Sequence, residues 1–358
     1  MRASEDSTRR TMQPTPPRMV EDGRVTAFGH FDRPFPSVNI LEADVFGLGR
    51  LGNRLWNPLR LKEWQHFAVF GPDFILTFVV LNAHYLSSSF CSFVDRETGH
   101  TVEHHREGPP WKAKLARELW NDRCTFGVPG YGIDIHNHLD NDRHTAGIRI
   151  EANKDAPAVS AELEFLADLA RFQPIVGVLK LAENRPAYSH KMACPAAGRV
   201  TVGDRVIDLD PRRHLVLIDV HKAYYPYHMT WRWASCAGFD SEGRVVGLNL
   251  THNVITDDES NNENGLWVGD RLSMFEAARF DFRPDRVLEP WRIETTDGRC
   301  RVDFRPEGER AGRINLGVVA SDYHQPYGTF SGEAVDDAGK VHVIKDFVGV
   351  TEFHKARF

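Results

Sequence analysis

Short apolar or alternating runs, each closed by turn residues, recur along nearly the whole chain, and no long stretch keeps a helical period. HFAVF (66–70), FILTFVVL (74–81), AGIRIE (146–151), HLVLIDV (214–220), TWRWASCAGF (230–239), RVVGLNL (244–250) and KVHVIKDFVGVTEFH (340–354) read as strands. Gly71-Pro72-Asp73, Asp240-Ser241-Glu242-Gly243 and Asp336-Asp337-Ala338-Gly339 each let one strand reverse into the next. The pattern predicts a mainly β protein with little helix. Two segments stay open: Trp111 to Trp120 carries helix formers, and Ala158 to Arg171 fits a helix or, as its β surroundings favour, a strand. GLGRLG (47–52) reads as a turn, since no βαβ setting follows it.

At 358 residues the chain exceeds the size at which one core keeps growing, so about two domains are expected. Residues 1–20, proline-bearing and polar, read as a disordered tail. An N-terminal β domain is placed over 21–190 and a C-terminal β domain over 191–358, divided near the breaks Asn184-Arg185-Pro186 and Cys194-Pro195. An internal echo supports two halves. Trp64 and Trp233 each open a strand, a tight turn, a second apolar strand, then Leu-Asn with a histidine soon after.

Composition narrows the partners. Lys plus Arg is 44 against 50 for Asp plus Glu, a net charge of −6, which argues against a nucleic-acid backbone. No run of about eighteen apolar residues is present, so no membrane span is expected. The N-terminus lacks the apolar centre of a secretory signal. The five cysteines are scattered without CxxC spacing. These features predict a cytoplasmic protein with reduced thiols. GxSxG, P-loop and HExxH patterns are all missing from the sequence, and no organic cofactor is expected.

DVHKAYYPYHMTWRWASCAG (219–238), GLNLTHN with ENGLWVGDRL (247–253, 263–272), HQPYGTFSG (324–332) and FVGVTEFHKARF (347–358) fall in one order with characteristic spacing. FGLGRLGNRLWNPLRLKEWQHF (46–67) and SHKMACPAAGRV (189–200) extend the likeness. Together they resemble the family known as domain of unknown function 2804 across most of the chain. More distantly the pattern is similar to tandem lipocalin-like β-barrel proteins, among them carotenoid hydratases and cyclisation enzymes. The resemblance implies two successive antiparallel barrels or sandwiches. It carries no established reaction.

Several residue groups suit proton transfer. Along one strand Asp219, His221 and Tyr225 share a face, as do Trp231 and Trp233 on the next. That face offers a carboxylate, an imidazole and a phenol to a ligand, or else the tyrosines plug a barrel end while Asp219 ties a turn. Asn249, His252, Glu263, Asn264 and Trp267 form a second group. An inward Glu263 beside Trp267 would have its pKa raised by burial and serve as general acid; otherwise Glu263 and Asn264 only close a loop. His324 lies near the chain end, where Glu352 and His354 alternate onto one face as a proton-transfer pair or an exposed salt bridge.

Asp219, His221, Glu263 and His324 are thus the candidate catalytic residues. Tyr225, Trp231, Trp233, Asn249, Asn264 and Trp267 are the candidate substrate-binding ones, with most of the site in the C-terminal half. DIHNHLDNDRH (134–144) is rich in ligands, but its polarity fits a wet loop, leaving His136 and His138 as weak metal candidates. The preferred reading is a cofactor-free hydratase, isomerase or cyclase for an apolar or amphipathic small molecule. A lipid-like ligand carrier and a carbohydrate-active protein are the rivals.

Overall fold

The structure is a computed structural model that describes residues 10–255, 257–315 and 317–357. Among these residues strands dominate, arranged as two curled antiparallel sheets of 14 and 9 strands, with one small two-stranded ribbon beside them. The alternating runs fold as the sequence predicts, because antiparallel hairpins need only the short turns it supplies. The echoing units are both hairpins: Lys62–Phe70 with Phe74–Asn82, and His228–Phe239 with Val245–His252.

The first sheet runs through to the strand Leu215–Ala223, which pairs with Lys62–Phe70 on one side and Arg185–Val202 on the other. The second begins at His228–Phe239, which pairs with Val341–Arg357. Strand membership therefore changes at residues 224–227, and residues 191–223, grouped from sequence with the second half, hydrogen-bond into the first sheet.

Two local readings are corrected, and two open segments are settled, one of them as the strand its surroundings favour. GLGRLG opens a true helix, Gly49–Arg60, rather than a turn. Trp111 to Trp120 is not helical: only the turn Pro110–Lys112 forms, and Ala113–Lys114 joins a sheet. The open segment settles as the strand Val159–Phe165. Of the expected tail, residues 1–9 lie outside the described residues. Beyond them, Gln13 bridges to Phe31, and Met19 and Val20 are buried with Phe31, Phe35 and Tyr188, so apolar packing fixes this part of the segment.

One large core fills the first sheet and a second core, built around Trp291, Phe304 and Phe330, fills the other. All five cysteines are free and buried in these interiors. No helix among the described residues is long and apolar enough to cross a membrane.

Candidate active site

Side chains from both sheets enclose a cavity of about 980 Å³. Direct cross-strand pairing assembles its floor, because residues opposite one another in an antiparallel ladder project to the same face. In the first sheet Asp219 stands opposite Lys191 on one side and His66 on the other, and His221 stands opposite Trp64. In the second, Trp231 stands opposite His354, and Trp233 opposite Glu352. All nine line the cavity, joined by Glu263 and Tyr225.

A buried ionic cluster holds the centre. Lys191 Nζ lies 2.6 Å from Asp219 Oδ1 and 3.8 Å from Glu263 Oε2. His221 Nε2 faces both carboxylates, 3.3 Å from Asp219 Oδ1 and 3.2 Å from Glu263 Oε1. Its other nitrogen, Nδ1, is 3.1 Å from the Tyr225 hydroxyl. With the proton on Nε2, Nδ1 is free to accept from the Tyr225 hydroxyl. Trp64 donates Nε1–H to Asp219 Oδ2 at 3.2 Å and stacks on His221, with Tyr225 and Trp231 continuing the stack.

The carboxyl groups divide into two kinds. Burial works against ionisation of Asp219 and Glu263, but Lys191 and His221 outweigh it and hold both below the usual carboxylate range. Among the described residues no lysine or arginine forms an ion pair with Glu352, and Lys191 acts on it only from a distance. Burial, helped by the nearby charge of Asp219, pushes it up to about 7 despite hydrogen bonds from Trp231, Tyr323 and Gln325. His66, fully buried with neither ring nitrogen partnered, is lowered to about 4 and stays neutral, mainly by burial. Above this floor the rim turns charged, with Glu103, Arg106, Glu107 and Arg310; the Arg310 guanidinium lies 3.8 Å over the Phe90 ring.

The structure brings together six of the residues picked from sequence: Asp219, His221, Tyr225, Trp231, Trp233 and Glu263. Glu263 differs in one respect, its pKa being lowered rather than raised, because Lys191 fills the place expected of Trp267. Trp267 packs in the main core and donates to Gln173 O at 2.9 Å. Asn249 sits behind the wall, accepting from Trp233 Nε1 at 2.8 Å and donating to Glu263 O at 2.7 Å. Asn264 binds backbone at Thr251 and Glu276, closing the loop. His324 pairs with Glu309 at 3.0 Å, away from the cavity lining.

Glu352 is buried and His354 mostly so, and they do not form an exposed salt bridge. His136 and His138 fall on the opposite face of their strand from its buried residues Ile133, Ile135 and Asn137. Among the described residues no group of three or more His, Cys, Asp or Glu is placed to hold a metal ion.

Lys191 and His66 carried no signal that singled them out, since Ser189 and His190 precede the one and Gln65 the other in their strands. Trp64 was visible only as the head of the internal echo. The site is also not confined to the C-terminal half: the first sheet supplies Trp64, His66, Lys191, Asp219 and His221.

Two curled antiparallel sheets of this kind match tandem lipocalin-like domains. The chain belongs to the family described as Domain of unknown function (DUF2804), whose profile matches residues 10–358. A comparison with curated proteins finds none that matches this chain. Among solved structures, CghA is similar at 10% identity and a TM-score of 0.51, over 84% of this chain and 89% of that one. Kievitone hydratase from Nectria haematococca aligns at 13% identity and a TM-score of 0.46, over 83% and 88%. These likenesses concern the fold.

Proposed function

We propose that this protein is a cofactor-free acid/base enzyme that takes an apolar or amphipathic small molecule into the cavity and hydrates, dehydrates, isomerises or cyclises it. The observation that carries the reading is the division of carboxyl groups within one enclosed space. Asp219 and Glu263 are held ionised chiefly by Lys191, whereas Glu352 is held toward its neutral form with a pKa of about 7. Environments that drive titratable groups apart in this way set up an acid and a base side by side.

In this reading Glu352 delivers a proton to the substrate. A proton leaving the substrate, or an attacking water, passes to the Tyr225 oxygen as the tyrosine's own proton moves to His221 Nδ1. The resulting imidazolium lies between Asp219 and Glu263, which stabilise it. Glu352 is the acid group here in place of Glu263, because Lys191 keeps Glu263 ionised. The aromatic stack of Trp64, Tyr225 and Trp231 suits an apolar substrate body, and the charged rim suits a polar end.

Native mass spectrometry of the purified protein, followed by denaturation, identifies the class of any bound compound. That compound is then incubated with wild type, Glu352→Gln and His221→Gln. Loss of turnover by about 10²–10⁴-fold in both variants with binding retained is the expected result. A wild-type protein that binds the compound and never converts it would instead make the chain a carrier. Full turnover by Glu352→Gln would remove that residue from the mechanism.

A further inference from the structure

We infer that the helix Gly49–Arg60 docks the protein on an anionic lipid bilayer surface. The helix is mounted the wrong way round for a globular protein. Its polar face is turned inward, where Asn53 donates to Asp44 Oδ1 at 2.7 Å and the fully buried Asn57 donates to Leu41 O and Ala43 O at 3.0 and 2.7 Å. Leu48, Leu51, Leu55 and Leu59 recur at three- and four-residue spacing as one stripe, and that stripe faces out. Leu51 and Leu55 are 80% and 77% exposed, well beyond what scattered surface leucines require of an explanation.

Two features choose the occupant. The helix holds Arg50, Arg54 and Arg60 and no acidic residue, although the chain as a whole carries a charge of −6. Arg50 and Arg54 are exposed and, by helical spacing, flank one edge of the leucine stripe, while the half-exposed Trp56 flanks the other. Leucines flanked by arginine and an edge tryptophan are the composition of a helix lying in the bilayer interface, where cations meet anionic headgroups.

The position of the helix adds a consequence. Lys62 Nζ donates to Leu59 O at 3.0 Å and to Ala83 O at 3.2 Å and lies 4.8 Å over the Tyr85 ring. Lys62, Ala83 and Tyr85 all line the cavity. The docked helix therefore brings the cavity rim to the lipid, whatever chemistry occurs inside.

Flotation of the full-length protein with phosphatidylcholine vesicles, with and without phosphatidylserine, tests the inference. Wild type should float with the anionic vesicles. The variants Leu51→Ser/Leu55→Ser and Arg50→Glu/Arg54→Glu, folded by circular dichroism, should bind at least about tenfold more weakly. Failure of wild type to float, or equal flotation with both vesicle types, would overturn it. So would a wild-type dimer in sedimentation that Leu51→Ser/Leu55→Ser splits, since a second copy would then own the stripe.

Discussion

Lys191 Nζ stands 2.6 Å from Asp219 Oδ1 across two paired strands, and both side chains are almost closed to solvent. The cation sits where three elements meet, since Glu263 approaches from the second sheet's loop at 3.8 Å and the Trp233 ring lies 5.4 Å away. One ammonium thus serves two buried carboxylates, with His221 as the additional donor.

Removing that cation leaves two uncompensated charges in an enclosed site. Lys191→Met should destabilise the protein by about 3–5 kcal/mol in urea denaturation, the range for breaking a buried ion pair from one side. Adding Asp219→Asn should restore part of the loss, because the two residues share one interaction and do not act additively. Equal losses that simply add would show that the pair is not coupled.

Glu352 gives a pH signature of known sign. Its carboxyl, raised from 4.5 to about 7 chiefly by burial, binds a proton more tightly in the folded than in the unfolded state. Stability from this group therefore falls as pH rises through that window, by up to about 1.4 kcal/mol per pH unit. Glu352→Gln has no such titration, so wild type should lose stability relative to the variant between about pH 5 and pH 7. Parallel profiles for the two proteins would place the Glu352 pKa in the ordinary range.

Glu63 provides the opposite sign. It is buried and pairs with Lys222 and, at 2.8 Å, with His84, which together outweigh burial and bring it down to about 2. Its contribution is present above pH 4.5 and is lost as pH falls toward 2. Glu63→Gln should accordingly be less stable than wild type near neutrality and approach it in acid, read from denaturation midpoints along a pH series.

Gly349 marks a close approach between the strands that carry Glu352 and Trp233. A Cβ there would collide with the Ser235 carbonyl oxygen and with Cys236. Backbone cannot yield as a flexible side chain does, so Gly349→Ala should cost about 1–3 kcal/mol as overpacking does. Thermal unfolding of the variant against wild type measures it.

Some of the site was legible because strand geometry has a period of two. Asp219 with His221, and Trp231 with Trp233, had to share faces wherever their strands went, and the turn residues made antiparallel hairpins the economical arrangement. The helix Gly49–Arg60 escaped detection for a related reason. Its glycines read as turn residues, and that reading masked the three- and four-residue spacing of Leu48, Leu51, Leu55 and Leu59, which is the period of an amphipathic helix.

Sequence by itself therefore determined the class of fold, the strand faces and part of the cavity wall, since these depend on local alternation and turn chemistry. Tertiary structure alone decided that Lys191 meets Asp219 and Glu263, that Glu352 is buried with no lysine or arginine paired to it among the described residues, and that Trp267 and His324 lie elsewhere. A carboxyl's protonation is set by its distance from charges and water. Those distances join residues far apart in the chain and exist only once the two sheets close on one another.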